Sequence, residues 1–156
     1  MKRFLLLILI VSFSVSASEQ AITQYVYNTL ERAQANLDKG NIEAAEQIYY
    51  DNANYAWSSR SYDHFVILRT YAYFLISYDR NEEALKYLRQ ASLKRDMPPY
   101  DMFELNFTLG QVYYVNGDRE NAKKTLLKWV AIGEKNDLDL KPEGYAILAT
   151  IYAQDE

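Results

Sequence analysis

The one histidine of the chain, His64, follows Asp63. A carboxylate beside an imidazole is the pairing that general acid–base chemistry uses. Neighbours on a helix point to different sides, however, and the stretch reads as a helix start, so His64 is expected to serve a helix start or a loop. Glu82 and Glu83 look like paired carboxylates. In "DRNEEALKYLR" they fall in the first turn of a helix, where negative charge complements the helix dipole. Glu82 also stands four residues before Lys86, the spacing of a surface ion pair. A third candidate is "TLGQVYYVNGDRENAKKTLLKW", Thr108 to Trp129, where Gly110 and Gly117 flank a tyrosine pair. A phosphate loop would need a preceding strand, a glycine cluster and a Gly-Lys-Ser/Thr end, none of which is there. One histidine and no cysteine do not make a zinc site. No catalytic, cofactor-binding or metal residue is assigned, and the chain is expected not to be an enzyme.

The elements around these residues repeat. "DKGNIEAAEQIYYDNA", "SYDRNEEALKYLRQAS" and "VNGDRENAKKTLLKWV" align on Ala45, Ala84 and Ala122, spaced 39 and 38 residues apart. Upstream, "TLERAQANLDKG", "RTYAYFLISYDR", "FTLGQVYYVNGD" and "AILATIYAQDE" align on Ala33, Ala72, Gly110 and Ala149, at steps of 39, 38 and 39. Each small residue sits among apolar residues at helical spacing. The physical reading is a helix-turn-helix unit whose two helices approach closely at small residues while large neighbours fill the grooves. Gly110 is then a packing contact. Gly117 ends one helix, and Asp118 caps the next. The longer connections fall in "SSRSYDH" and "KRDMPPYD", where Pro98 and Pro99 are expected to end a helix or stiffen a loop.

The beginning of the chain is of another kind. "MKRFLLLILIVSFSVSASEQ" has two basic residues, an apolar run from Phe4 to Val15 and small residues at Val15 and Ala17. That is the pattern of a secretory signal peptide, residues 1–17, cleaved after Ala17, and it implies a periplasmic address. The run is too short for a membrane span. The absence of cysteine excludes disulfides and a lipidated N-terminal cysteine. The net charge is −4 and becomes more negative once Lys2 and Arg3 are removed. Such a chain has no footprint for nucleic acid or for anionic lipid, so membrane contact is expected only through partner proteins. Fifteen tyrosines supply large apolar faces with polar tips, suited to helix packing and to peptide-binding surfaces.

The order small-x2-Tyr, alanine twelve residues after the small residue, and a large residue four further resembles the tetratricopeptide repeat. "LGQVYY…A…L" matches well, Ala72, Ala84, Leu88 and Ala91 nearly as well, and the first copy is degenerate, with Arg32 and Asn36 at usually apolar places. The resemblance implies an all-α solenoid, residues 18–156, of about three and a half units: 22–58, 62–97, 100–136 and a half unit at 142–156. Ile147, Leu148 and Ile151 spread apolar surface around the half unit. The sequence is therefore expected to be a piece of a longer array, or else to receive a partner there. The resemblance further implies that the first helix of each unit lines a concave, partner-binding groove. Its residues would be Leu30 and Gln34, then Arg69, Tyr73 and Ile76, then Phe107, Gln111 and Tyr114, then Ala146 and Thr150. That lining suits a protein or peptide held by apolar contacts and a few hydrogen bonds. The carboxylate clamp of chaperone-type members is not expected, because its positions read Leu30, Gln34, Thr70, Glu104 and Thr108. More narrowly, the signal peptide, "LNFTLGQVY" after Pro99, "LLKWVAIGE" and "KPEGYAILATIYAQ" resemble periplasmic members that accompany TonB-type energy-transducing systems. That implies a non-catalytic accessory of TonB-dependent uptake. A scaffold for outer-membrane or envelope assembly is the alternative on the same fold.

Overall fold

A computed structural model describes residues 21–58 and 61–155. The apolar run and the cleavage site lie outside these residues. Within them are seven helices and no strand: α1 (Gln24–Asp38), α2 (Ile42–Ala53), α3 (Tyr62–Ser77), α4 (Asn81–Ser92), α5 (Pro99–Val115), α6 (Arg119–Asn136) and α7 (Pro142–Asp155). The helices pair in sequence order as hairpins, and each hairpin packs on the next, which is the all-α solenoid that the repeat implied. No described helix is long and apolar enough to cross a membrane.

Local chemistry sets the helix ends. Thr23, Ser61 and Asp118 accept the amide of the residue three further on, so α1, α3 and α6 begin at capped turns. Pro98 precedes α5, and Pro99 opens it as its first residue. Of the two expected roles, ending a helix or stiffening a loop, Pro98 has the second, while Pro99 starts a helix, because an initial residue needs no amide hydrogen. The turn inside each hairpin is built alike. Asn41, Arg80 and Asp118 donate their amides to the carbonyls of Asn36, Leu75 and Tyr113, each at 2.9 Å. The residue before each donor, Gly40, Asp79 or Gly117, holds a positive φ of 75°, 59° or 79°. This is the reversal that a left-handed residue makes at a helix C-terminus.

The small residues of the three complete units do what their spacing predicts, whereas Ala149 of α7 is exposed. Ala33, Ala72, Ala45, Ala84 and Ala122 are fully buried. A β-carbon on Gly110 would come within 2.6 Å of Leu126 Cγ, so α5 and α6 reach their separation only over a glycine. The main core runs from Val26 through α3 and α4 to Tyr113 and Ala122. A second cluster gathers Phe103, Phe107, Leu126 and Leu148 around Trp129. In α7 the inward residues are Leu148 and Ile151, 6% and 1% exposed. Of the three apolar residues that the sequence spread around this helix, Leu148 and Ile151 are packed and Ile147 is half-buried against the core, and the exposed large residues are Tyr145 and Tyr152.

Candidate partner-binding face

The first helices are tied side by side through polar contacts spaced one unit apart. At the start of α1, Thr23 donates its amide and its hydroxyl to the two oxygens of Asp63, at 2.9 and 2.8 Å. Asp63 therefore turns to α1 and not to His64. One unit on, Asp101 accepts the Tyr62 hydroxyl at 2.9 Å and Arg69 Nη1 at 2.6 Å. Lys141 Nζ then donates to Glu104 at 2.7 Å and lies 4.5 Å from the centre of the Phe107 ring. At two of these joints a cation meets an acid, Arg69 with Asp101 and Lys141 with Glu104, whereas Asp63 meets only the neutral Thr23. Glu104 is accordingly a partner of Lys141, where the sequence reading had it as a carboxylate repelling an acidic tail.

What stays open on this face is mostly polar and uncharged, with the exposed carboxylate of Asp38, which accepts the Gln34 amide at 2.8 Å, as an acidic group at its α1 end. Gln34 and Thr150 are exposed, Tyr73 is 38% exposed, and Gln111 is half-buried. These four residues follow Ala33, Ala72, Gly110 and Ala149, so each first helix contributes one at the same register. Tyr73 places its hydroxyl 3.4 Å from Thr108 Oγ1. Ile76 and Tyr114 are half-buried and lean on the main core, as does Leu30. Ala146 is exposed, and its carbonyl takes the Thr150 hydroxyl at 2.8 Å. Arg69 is half-buried with its guanidinium committed to Asp101. Phe107 departs from the expectation. Only 8% exposed and 5.2 Å from the Trp129 ring, it is a core residue, because α6 brings the indole directly beneath it.

The other residues singled out in the sequence have structural posts. His64 is buried in the first turn of α3. Its Nε2 lies 2.9 Å from the Ala53 carbonyl, and its ring stacks on Trp57. Burial holds its pKa below the usual value, with Lys94 adding to the effect and the Ala53 bond opposing it. Nearby, Trp57 Nε1 and Asn52 Nδ2 donate to the carbonyls of Asn52 and Ile48, and the Tyr25 hydroxyl bonds Asn52. The end of α2 is thus capped by side chains from the loop, from α2 itself and from α3. Glu83 takes Arg80 at 2.6 and 2.7 Å, and Arg80 also reaches Glu46 at 2.7 Å. The hydrogen bond to Arg80 keeps the Glu83 carboxyl below its ordinary range. Lys86 lies over the Tyr87 ring, so the ion pair of this turn belongs to Glu83 and not to Glu82. Among the described residues no group of three or more histidines or acids could hold a metal ion.

Sequence reasoning missed Asp101 and Trp129. A single acid in a first helical turn and a tryptophan at a core position give no signal until the neighbouring helices supply their partners.

No protein-family model and no curated protein matches the chain. Solved structures do. A Podosopora anserina kinesin light chain crystal structure with nearly identical TPR-like repeats superposes over 82% of this chain, with a TM-score of 0.60 and 19% identity. The chain spans 65% of that structure's length. PcrH in complex with the chaperone binding region of PopB is similar over 86% of this chain and 98% of its own, with a TM-score of 0.52 and 14% identity. PcrH from Pseudomonas aeruginosa matches over 86% and 92%, with a TM-score of 0.51 and 15% identity. At these identities the likeness is one of fold, and the fold is TPR-like.

Proposed function

We propose that this chain is a non-catalytic periplasmic protein whose first-helix face holds a segment of a partner protein, as an accessory of a TonB-dependent uptake system. The observation that carries the binding role is the ladder of Gln34, Tyr73, Gln111 and Thr150, one residue per first helix at one register. A ladder of uncharged hydrogen-bonding groups beside half-buried apolar residues suits an extended or helical polypeptide. The cations beside it, Arg69 and Lys141, are already paired with Asp101 and Glu104, which argues against a ligand held chiefly by its negative charge. A similar fold, PcrH, is known in complex with a segment of PopB, which supports the same class of ligand here. The periplasmic address rests on the N-terminal sequence pattern, and the TonB connection on the resemblance of Pro99 to Tyr113 and of the segments after Leu126.

The experiment is site-specific cross-linking in a Gram-negative host. A photo-reactive residue at Gln111 or Tyr73 is compared with one at Lys124, on a second helix, and the periplasmic fraction is analysed. Cross-links from positions 111 and 73 to transport components support the reading. Cross-links to envelope-assembly factors alone would replace the uptake role with the scaffold, and retention of the chain in the cytoplasm would remove the periplasmic address.

A further inference from the structure

We propose that the first turn of α3 is a proton-operated latch: His64, on taking up a proton as the pH falls below neutrality, releases the α1–α2 hairpin from the rest of the array. The latch belongs to the joint between hairpins and does not rest on the role given to the first-helix face.

Three consecutive residues of this turn reach three different helices. Tyr62 gives its hydroxyl to Asp101 of α5, Asp63 takes the amide and the hydroxyl of Thr23 at the start of α1, and His64 meets the carbonyl of Ala53, the last residue of α2. The beginning and the end of the first hairpin are thus both fastened to α3, by adjacent side chains. One of the two fastenings can change its charge. His64 is the one histidine of the chain, and histidine is the side chain whose ordinary pKa falls between about pH 5 and pH 8.

Only the neutral ring suits the closed joint. A carbonyl can only accept, so Nε2 carries the hydrogen and Nδ1 is left bare. Nδ1 is buried without a hydrogen-bond partner among the described residues, and the ring, 8% exposed, lies flat against Trp57. A proton on Nδ1 makes a buried donor with nothing to receive it. Its charge also stands in the first turn of α3, where the helix dipole disfavours a cation. The charged groups on either side do not relieve this. Lys94, just past α4, is half-buried, donates to the Ser58 carbonyl at 3.1 Å and opposes a second positive charge. Asp63, the acid of the same turn, has its two oxygens on Thr23. Burial first, and Lys94 after it, therefore hold the folded pKa below 6.5 against the opposing Ala53 bond. The opened joint binds the proton more tightly than the closed one. Closure is complete above about pH 6.5 and is lost as the pH falls from there.

The test uses the full chain. Protection of backbone amides against hydrogen exchange is measured at about pH 7.5 and about pH 5.5, with the intrinsic effect of pH on exchange divided out, and the His64 ring is titrated by NMR. Amides of α1 and α2 are expected to lose protection about three- to tenfold between the two conditions, and the ring to titrate below 6.5. His64→Gln keeps a donor for the Ala53 carbonyl and cannot be charged, so its protection is expected to be the same at both. Lys94→Gln keeps a donor for the Ser58 carbonyl and removes the opposing cation, so its loss is expected to be smaller. A loss that persists in His64→Gln, no loss in the parent chain, or a ring titrating at or above 6.5 would overturn the latch. So would equal protection of the α1–α2 and α5–α6 amides at both pH values, which means that the joint opens only with the whole array. Lys94→Gln leaves the ring in place and serves as the second reading should His64→Gln fail to fold; an undiminished loss there also overturns the latch.

Discussion

Gly144 lies against the indole of Trp129. A β-carbon at position 144 would meet Cζ3 and Cη2 of the ring, the latter at 2.6 Å, and Trp129 is fully buried with no room to retreat. The last helix therefore seats on α6 through Gly144 and the edge-on ring of Tyr145 against the tryptophan, while Phe103 and Phe107 meet the same ring from α5.

Gly144→Ala is accordingly expected to destabilise the protein by about 1–3 kcal/mol. The improved helix propensity of alanine, worth about 1 kcal/mol, offsets only part of this. Thermal melting followed by helical circular dichroism, together with Trp fluorescence, checks it. An unchanged melting temperature would mean that α7 does not pack on the indole.

The two glycines of "TLGQVYYVNGD" fail in different ways when replaced. Gly117 has open space around it and a φ of 79°, so Gly117→Ala carries a backbone cost of about 1 kcal/mol, and Gly117→Asn costs less because asparagine tolerates that region. Gly110 faces the buried Leu126, so alanine and asparagine both overpack there. Chemical denaturation of the four variants distinguishes the two cases; equal losses for Ala and Asn at position 117 would contradict the turn geometry.

How much of this was legible in the chain is decided by range. Ala84 and Ala122 repeat because helices touch at small residues, and that contact is written twice per unit in residue types alone. The left-handed turn was visible at Gly117 and hidden at Asp79, where an aspartate takes the same conformation. Phe107 was assigned to the open face because register tells which side of α5 it occupies, and nothing in the register says that Trp129 will close over it. Asp101 gathers Tyr62 and Arg69 from residues more than 30 positions away, and no local pattern announces such a meeting.

Tyr73 and Phe107 separate binding from folding. Tyr73→Ala removes an exposed ring and is expected to shift stability by less than about 1 kcal/mol while weakening partner capture on the first-helix face. Phe107→Ala opens a cavity beside Trp129 and is expected to cost about 3–5 kcal/mol. Urea unfolding of both variants beside the cross-linking assay measures the contrast; equal stability losses would place both rings in the same environment.

His64 makes stability depend on pH in one direction. Its pKa in the folded chain lies below the ordinary value of 6.5, so the unfolded chain binds the proton more readily. The contribution of neutral His64 is complete above about pH 6.5 and is lost as pH falls from there through the lower folded value. The melting temperature is expected to drop between about pH 7 and about pH 5.5, and to drop less in His64→Gln, which keeps a donor for the Ala53 carbonyl. Identical pH profiles for the two proteins would assign the effect elsewhere.

The hairpins are unequally anchored. α1 buries only Val26, Thr29 and Ala33, whereas α3 and α5 each bury nine residues. Opening in a linear array costs what the local interfaces hold. Amide protons of α1 are therefore expected to exchange faster, through local opening of its hairpin, than those of α3 and α5. The first-helix surface is for that reason expected to be firmest in its middle and to yield first at α1, so a guest that extends along it would have to supply the ordering of that rung itself.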